Sequence, residues 1–299
     1  MTAASYAGPS VKENVVTTTP HLQPAALPAA VQPLPPRASA GVRYLRETLL
    51  LISRGLRTIA RVPTRLSDVT LQPIVFTLLF LYVFGSAIHI PGMRYQDYLL
   101  PGMIAQSVAF GVIGSGVSTA GDFASGIIDR FNSMPITRLA IITAQIVGQV
   151  LEQIIGMLIV AAVGLALGWR PHLDAAGLVE LIGLVLLGLV AFTTFGVLIG
   201  MVLGSADAVQ GIGFAIVFPL AFLGGTFVPI AGMKLVPRVI AEYNPLSAIV
   251  AAVRHLTQGT NTSGSWPLEH PVPAAAVYCL LMIVICLPLA LRMFVRRTR

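Results

Sequence analysis

Charge is scarce in this sequence. Only 10% of its 299 residues are Asp, Glu, Lys or Arg, where a soluble domain carries about 25%. Hydrophobic residues make up 56%, and the mean hydropathy is +0.84. A water-soluble fold of this composition would lack the polar surface to cover its core. The excess apolar surface must face lipid, so the chain reads as an integral membrane protein. Lysine is almost missing, with only Lys12 and Lys234. Neither lies in a GxxxxGK[ST] context, which excludes ATP binding through a phosphate loop. There is no HExxH, and no histidine lies mid-span to serve Ser115 as a base, which excludes the common intramembrane proteases. Cys279 and Cys286, seven apart in one apolar run, read as free buried thiols on one helix face, not as a disulfide framework or zinc site. No set of four metal ligands stands out. The chain reads as a non-enzyme that binds no cofactor itself.

What is present is organised along the chain. Residues 1–40 hold Pro20, Pro24, Pro28, Pro33, Pro35 and Pro36 in a Thr/Ala/Gln-rich background. They read as a disordered, partly polyproline II tail, without the basic-then-apolar opening of a signal peptide. Within 42–62, Arg43, Arg46, Arg54, Arg57 and Arg61 fall within about 60° on a helical wheel, opposite Leu45, Leu49, Ile52, Leu56 and Ile59. This predicts an amphipathic helix lying in the membrane interface, its arginines toward anionic headgroups. The alternative, a first span, would have to bury five arginines. Six apolar spans are expected at about 70–90, 99–120, 138–168, 177–203, 208–228 and 272–291, each near the ~20 residues that cross a bilayer. The third is long enough to tilt or project. The predicted fold class is therefore all-α integral membrane, with an interfacial helix, six spans and short re-entrant helices before the last.

The net charge of +7 is distributed by side. The segment up to Arg65, the loop with Arg130 and Arg138, and the C-terminal Arg292, Arg296, Arg297 and Arg299 together hold fourteen of the nineteen basic residues. The positive-inside rule then places both termini in the cytosol. Such clusters beside apolar spans suit lipid headgroups better than nucleic acid. The Arg/Ala/Gly/Val-rich usage points to a bacterial cytoplasmic (inner) membrane.

Two loops and one helix carry further information. In 121–138, Phe123, Ile127, Phe131 and Met134 share one face of a predicted short helix, and Asp122, Ser125, Asp129, Asn132 and Ser133 populate the other before Pro135 ends it. With two acids and Arg130 as its one base before the break, this helix fits a protein groove better than anionic lipid. Residues 229–271 form the large external segment. Pro229, Pro237 and Pro245 cut its apolar first part into pieces too short to span, predicting short helices dipping into the outer leaflet. In the third span Glu152 lies mid-helix, with Gln145 and Gln149 on the same side. One reading is a translocation or proton site; the other is hydrogen bonding between helices. Gly148 and Gly156, at i±4 of Glu152, predict close packing there.

These residues carry a family resemblance. The chain, over about residues 42–299, resembles the transmembrane permeases of ABC exporters of the daunorubicin-resistance and polysaccharide- and lipid-export type. The first likeness is an interfacial helix ahead of six spans. The second is Gly126-Ile127-Ile128-Asp129-Arg130-Phe131-Asn132-Ser133-Met134-Pro135-Ile136, similar to the coupling-helix signature that ends in a small residue, an apolar residue and proline. The third is Tyr243-Asn244-Pro245-Leu246-Ser247 followed by Arg254 and Gly259. Many relatives carry Glu and Gly-Thr in the coupling segment, where this sequence has Asp122 and Asp129. The resemblance implies a permease domain over 41–299 working with a second permease copy or related permease. It also implies P-loop ATPase subunits, which carry ATP and Mg and receive the coupling helix, and a hydrophobic drug, lipid or glycan-type cargo. The rival reading from the residues is a proton-coupled carrier using Glu152; a membrane scaffold without cargo is a third.

Overall fold

Helix formation in this chain follows its apolar runs and is punctuated by glycine, proline and short polar caps. The computed structural model describes residues 41, 44–50, 52–53, 63–88, 90, 92–128, 137–260 and 264–297. The Pro-rich tail 1–40, Arg43, Arg54, Arg57, Arg61, Asp129, Arg130, Phe131, Met134 and Pro135 lie outside the described residues. Among the described residues the fold is nearly all helical and holds no named β-strand. All of them fall within a single compact unit, 39–299.

Helix α1 is Pro63–Leu79, extended by a π-helical turn Phe80–Phe84. The long helices are α2 Tyr95–Ala124, α3 Arg138–Ala166, α4 Ala175–Leu203 and α5 Ala206–Leu223. Three short helices follow, α6 Leu235–Tyr243, α7 Pro245–Gln258 and α8 Trp266–Glu269, and the chain ends in α9 Pro271–Arg297. Five helices, α2, α3, α4, α5 and α9, are long and apolar enough to cross a membrane. They match five of the six expected spans. The expected span at 70–90 is shorter than predicted. Its apolar helical stretch is Leu71–Phe84, roughly 21 Å at about 1.5 Å per residue, against the ~30 Å of a hydrocarbon core. Polar residues precede it, and the helix stops at Gly85. Length does not single out α3, since α2 and α4 are 30 and 29 residues long beside its 29.

Caps explain the boundaries. Asp174 caps α4 by accepting from the Gly177 amide at 2.8 Å. Gly204, with φ of 67°, turns the chain out of α4, and Ser205 caps α5 immediately after. This two-residue link makes α4 and α5 an antiparallel hairpin. The core runs along α2 and α4 and takes in α7 and α9. The closest approach is built on glycine: a Cβ at Gly196 would meet the Ser115 hydroxyl and the Val112 carbonyl, and one at Gly200 would meet the Gly116 carbonyl. The expected close packing at Gly148 is not found, since a Cβ there meets nothing within 4 Å. Large apolar side chains such as Val179, Leu281 and Val284 point outward from α4 and α9, the surface a lipid environment requires.

Candidate functional site

Midway along α3 the bundle opens into a cavity of about 520 Å³ between α1, α2, α3 and α5. Gln149, Glu152 and Gln153 line it from α3, Gln106, Ser107 and Ser118 from α2, Gln72 from α1 and Gln210 from α5. Phe76, Phe110 and Phe214 supply aromatic wall, and Phe110 meets Phe214 edge to face at 5.9 Å. Of the sequence-derived trio, two belong here. Gln149 and Glu152 face the cavity, one turn apart. Gln145 does not, because its Nε2 donates to Thr119 Oγ1 at 3.0 Å and to Asp122 Oδ2 at 3.1 Å. It clamps α3 to the end of α2. Gln153, absent from the sequence reading, is buried in the cavity wall and donates to Thr193 Oγ1 at 2.9 Å. Gly111 is the signal that could have found it, since a Cβ there would collide with the Gln153 amide.

Beyond the cavity, more than one turn toward the start of α2, lies a knot around Arg254. The side chain is buried, with 7% exposure, in α7. Its Nη2 donates to the Tyr98 carbonyl at 3.1 Å and the Gly225 carbonyl at 3.0 Å, and its guanidinium lies 3.6 Å from the centre of the Tyr98 ring. Burial lowers the Arg254 pKa and the Tyr98 contacts oppose that shift. The Tyr98 hydroxyl also donates to Gly225, at 2.7 Å. Asn244 and Pro245 start the same helix. The Asn244 carbonyl Oδ1 accepts from the Leu246 amide at 3.0 Å, its Nδ2 donates to Leu220 of α5 at 2.8 Å, and Pro245 occupies the first turn. Asn244, Pro245 and Arg254 thus fix α7, which is largely buried in the core.

At the opposite end of α2 the predicted helix from Phe123 to Met134 is divided. α2 runs through Phe123 to Ala124, and Gly126 turns with φ of 68° before the helix resumes at 127–128. The positive φ resets the helical phase, so Phe123 packs on Phe294 (6.1 Å between ring centres) rather than joining a docking face. Ile128, not Ile127, is the buried member of the new segment. Arg297 of α9 stands 5.7 Å from the Phe123 ring and donates to the Val202 carbonyl at 3.3 Å. The helical residues 44–50 are tied to the far side of the segment. The Glu47 carboxylate accepts from the Thr137 amide at 3.0 Å and its hydroxyl at 3.1 Å, and Tyr44 donates to Thr143 at 2.9 Å. Leu45, Leu49 and Leu50 are exposed, as is Arg46.

The sequence profile of the family described as ABC-2 type transporter matches residues 46–257. The chain belongs to that family. It is 28% identical over 285 residues to the daunorubicin resistance ABC transporter permease protein DrrB1 of Streptomyces coeruleorubidus, covering 93% of this chain and 98% of that protein. It is 23% identical over 217 residues to the ycf38 protein of Cyanophora paradoxa, covering 71% of this chain and 74% of that one. The matched region of this ABC-2 transporter chain takes in Glu152, the Arg254 knot and the divided segment after α2. Membership makes it a multi-pass membrane permease.

Proposed function

We propose that this ABC-2 permease exports an amphiphilic, drug-, lipid- or glycan-like cargo from the cytosol across the bacterial cytoplasmic membrane, powered by separate P-loop ATPase subunits. The observation that carries the reading is the cavity: a polar-lined, aromatic-walled space at mid-span depth in a chain related over nearly its whole length to a drug-resistance permease. ATP and Mg belong to the ATPase, because this sequence has no phosphate loop. Both termini and the segment 121–138 face the cytosol, where most of the basic residues lie. The helix at 44–50 rests in the interface, its exposed leucines toward lipid. A second permease copy or related chain completes the transporter.

The ATPase docks on the segment restarted after Gly126. Phe123 and Ile128 are consumed by the fold, which leaves Ile127, Phe131 and Met134 as the apolar anchors. Phe131→Asp places a charge in an apolar groove at a cost of several kcal/mol. Expression and membrane insertion should persist, and co-purification with the ATPase should fall below a tenth of wild type, roughly the effect of 1.4 kcal/mol or more. Wild-type recovery of the ATPase would remove Phe131 from the interface.

The energy source is tested by efflux from vesicles, with ATP and with a proton gradient supplied in turn. An ATP-driven permease exports only when its ATPase and ATP are present. Glu152→Gln keeps shape and hydrogen-bonding capacity but cannot ionise, so it should leave the ATP dependence of export in place. Gradient-driven efflux without any ATPase, lost in Glu152→Gln, would instead establish the proton-coupled carrier, which the position of Glu152 in the cavity wall favours as the second reading.

A further inference from the structure

Each of the four helices around the cavity carries apolar residues onward from the lining, and all four lead to the end of the bundle that holds α6, α7 and α8. On α1, Phe76 lines the cavity and Phe80 is one turn further along. On α2, Met103 lines it, and Leu99 lies one turn nearer the helix start. On α3, Met157 lines it and Val160 follows. On α5, Phe214 lines it, with Phe218 and Phe222 at successive turns beyond. Phe80, Leu99, Val160 and Phe227, from the loop after α5, meet in one buried cluster that also holds Met103 of the cavity wall. At its centre the Phe80 and Phe227 rings stack with 3.9 Å between centres, and both side chains are buried. Phe222 leans on this pair from the edge, 6.0 Å from Phe80 and 4.7 Å from Phe227. The cavity thus runs into stacked aromatic rings on its way to this end.

The two rings are carried by unlike supports. Phe227 sits in a pinned loop. Its carbonyl accepts from the Tyr95 hydroxyl at 3.3 Å, and the Gly225 carbonyl accepts from both the Tyr98 hydroxyl and Arg254. Phe80 opens the π-helical turn Phe80–Phe84, a rare form that occurs frequently at functional sites. An aromatic constriction offers water and ions no hydrogen-bond partner, so it closes a passage by dewetting. We propose that Phe80 and Phe227 form an aromatic plug that seals the cavity toward the end holding α6, α7 and α8. Its part in transport rests on the exporter reading, in which the plug is the barrier a cargo passes after leaving the cavity.

The test reads access to the cavity by a membrane-impermeant thiol reagent, a methanethiosulfonate bearing a trimethylammonium group. The full chain carries Cys279→Ala and Cys286→Ala, with Ser107→Cys as the reporter in the cavity wall. Membrane vesicles are prepared in both orientations. A separate Glu269→Cys variant, in the exposed part of α8, identifies the vesicles that present that end to the reagent. From that side Ser107→Cys should react roughly tenfold or more slowly than Glu269→Cys, because the plug keeps water out. Adding Phe227→Ala or Phe80→Ala should raise the Ser107→Cys rate roughly tenfold or more, since the lost ring leaves a gap that water can enter. Phe195→Ala removes a ring that packs on the main core away from the cavity, and it should leave the rate unchanged. If an alanine variant does not accumulate, Phe227→Leu removes the stack but keeps apolar volume, and it should give a smaller rise in the same direction. Fast reaction of Ser107→Cys with the plug intact, unchanged rates in the plug variants, or an equal rise in Phe195→Ala overturns the plug. No ATPase subunit enters this measurement. Loss of the plug therefore leaves ATP-driven export standing, and failure of ATP-driven export leaves the accessibility result standing.

Discussion

Gly196→Leu is expected to abolish accumulation of folded permease. The seam between α2 and α4 is closed by backbone against backbone. A Cβ at Gly196 would meet the Val112 carbonyl, and Val112 Cα at 2.9 Å, beside the Ser115 hydroxyl. These atoms belong to a helix and cannot rotate aside as a flexible side chain would. Overpacking a core usually costs about 1–3 kcal/mol because side chains and backbone share the adjustment. Here the whole correction falls on the helix axes, in the part of the core where both elements are buried, so the cost should exceed that range. Gly196→Ala already places the offending Cβ and should lower the melting temperature markedly. Gly148→Ala is the matched control. Nothing lies within 4 Å of a Cβ there, and alanine is favoured over glycine in a helix by about 1 kcal/mol. The readout is the monodisperse peak in detergent size exclusion and the thermal midpoint. A wild-type peak for Gly196→Leu would mean that α2 and α4 do not pack as described.

The same pair of glycines shows what a sequence discloses and what it hides. Composition and run length located five of the long helices to within a few residues, because a bilayer thickness translates directly into an apolar length. Neither reports which face of a span meets protein. Gly148 stood at a spacing associated with close packing, yet a Cβ there meets nothing, while the seam formed at Gly196 and Gly200. In an apolar helix every face looks alike, and spacing alone does not choose the partner. The first expected span is shorter than its predicted bounds for a related reason. The apolar run continues past Phe84 into residues that are not helical.

The cavity was half legible. A carboxylate in mid-span is expensive enough to draw notice by itself, and Glu152 does line the space. Gln106 and Gln153 drew none, since an amide in a helix can satisfy itself on many neighbours. Gln153 stands out only through its bond to Thr193 of α4, a property of the packed structure. The segment after α2 was legible as a motif and misread as one helix. A helical wheel assumes an unbroken phase, and the positive φ of Gly126 breaks it. Residues on either side of such a glycine cannot be assumed to share a face, and Phe123 went to the core.

Arg254→Glu is expected to be the most damaging single change in the half of the protein that holds α6, α7 and α8. The guanidinium joins three segments that are remote in sequence, namely the Tyr98 carbonyl of α2, the Gly225 carbonyl after α5, and α7 itself. Each hydrogen bond from a charged donor contributes about 1.5–3 kcal/mol, and a desolvated stack on an aromatic ring about 2 kcal/mol. Burying the charge offsets much of this. Arg254→Leu, which removes the bonds and the burial penalty together, should therefore cost only about 2–3 kcal/mol. Arg254→Lys keeps the charge but loses the planar stack and the fork that spans two carbonyls, and should fall between leucine and wild type. Glutamate does neither. It aims a buried carboxylate at two carbonyl oxygens already facing inward, repulsive contacts with no donor to relieve them. The cost should reach several kcal/mol, enough to free α7 from α2. Thermal midpoints in detergent should rank wild type above Lys, Lys above Leu, and Leu above Glu, with Glu unfolded or absent. A Glu midpoint equal to that of Leu would show that position 254 reaches water, and the knot would not hold the short helices after α5 as the hydrogen bonds imply.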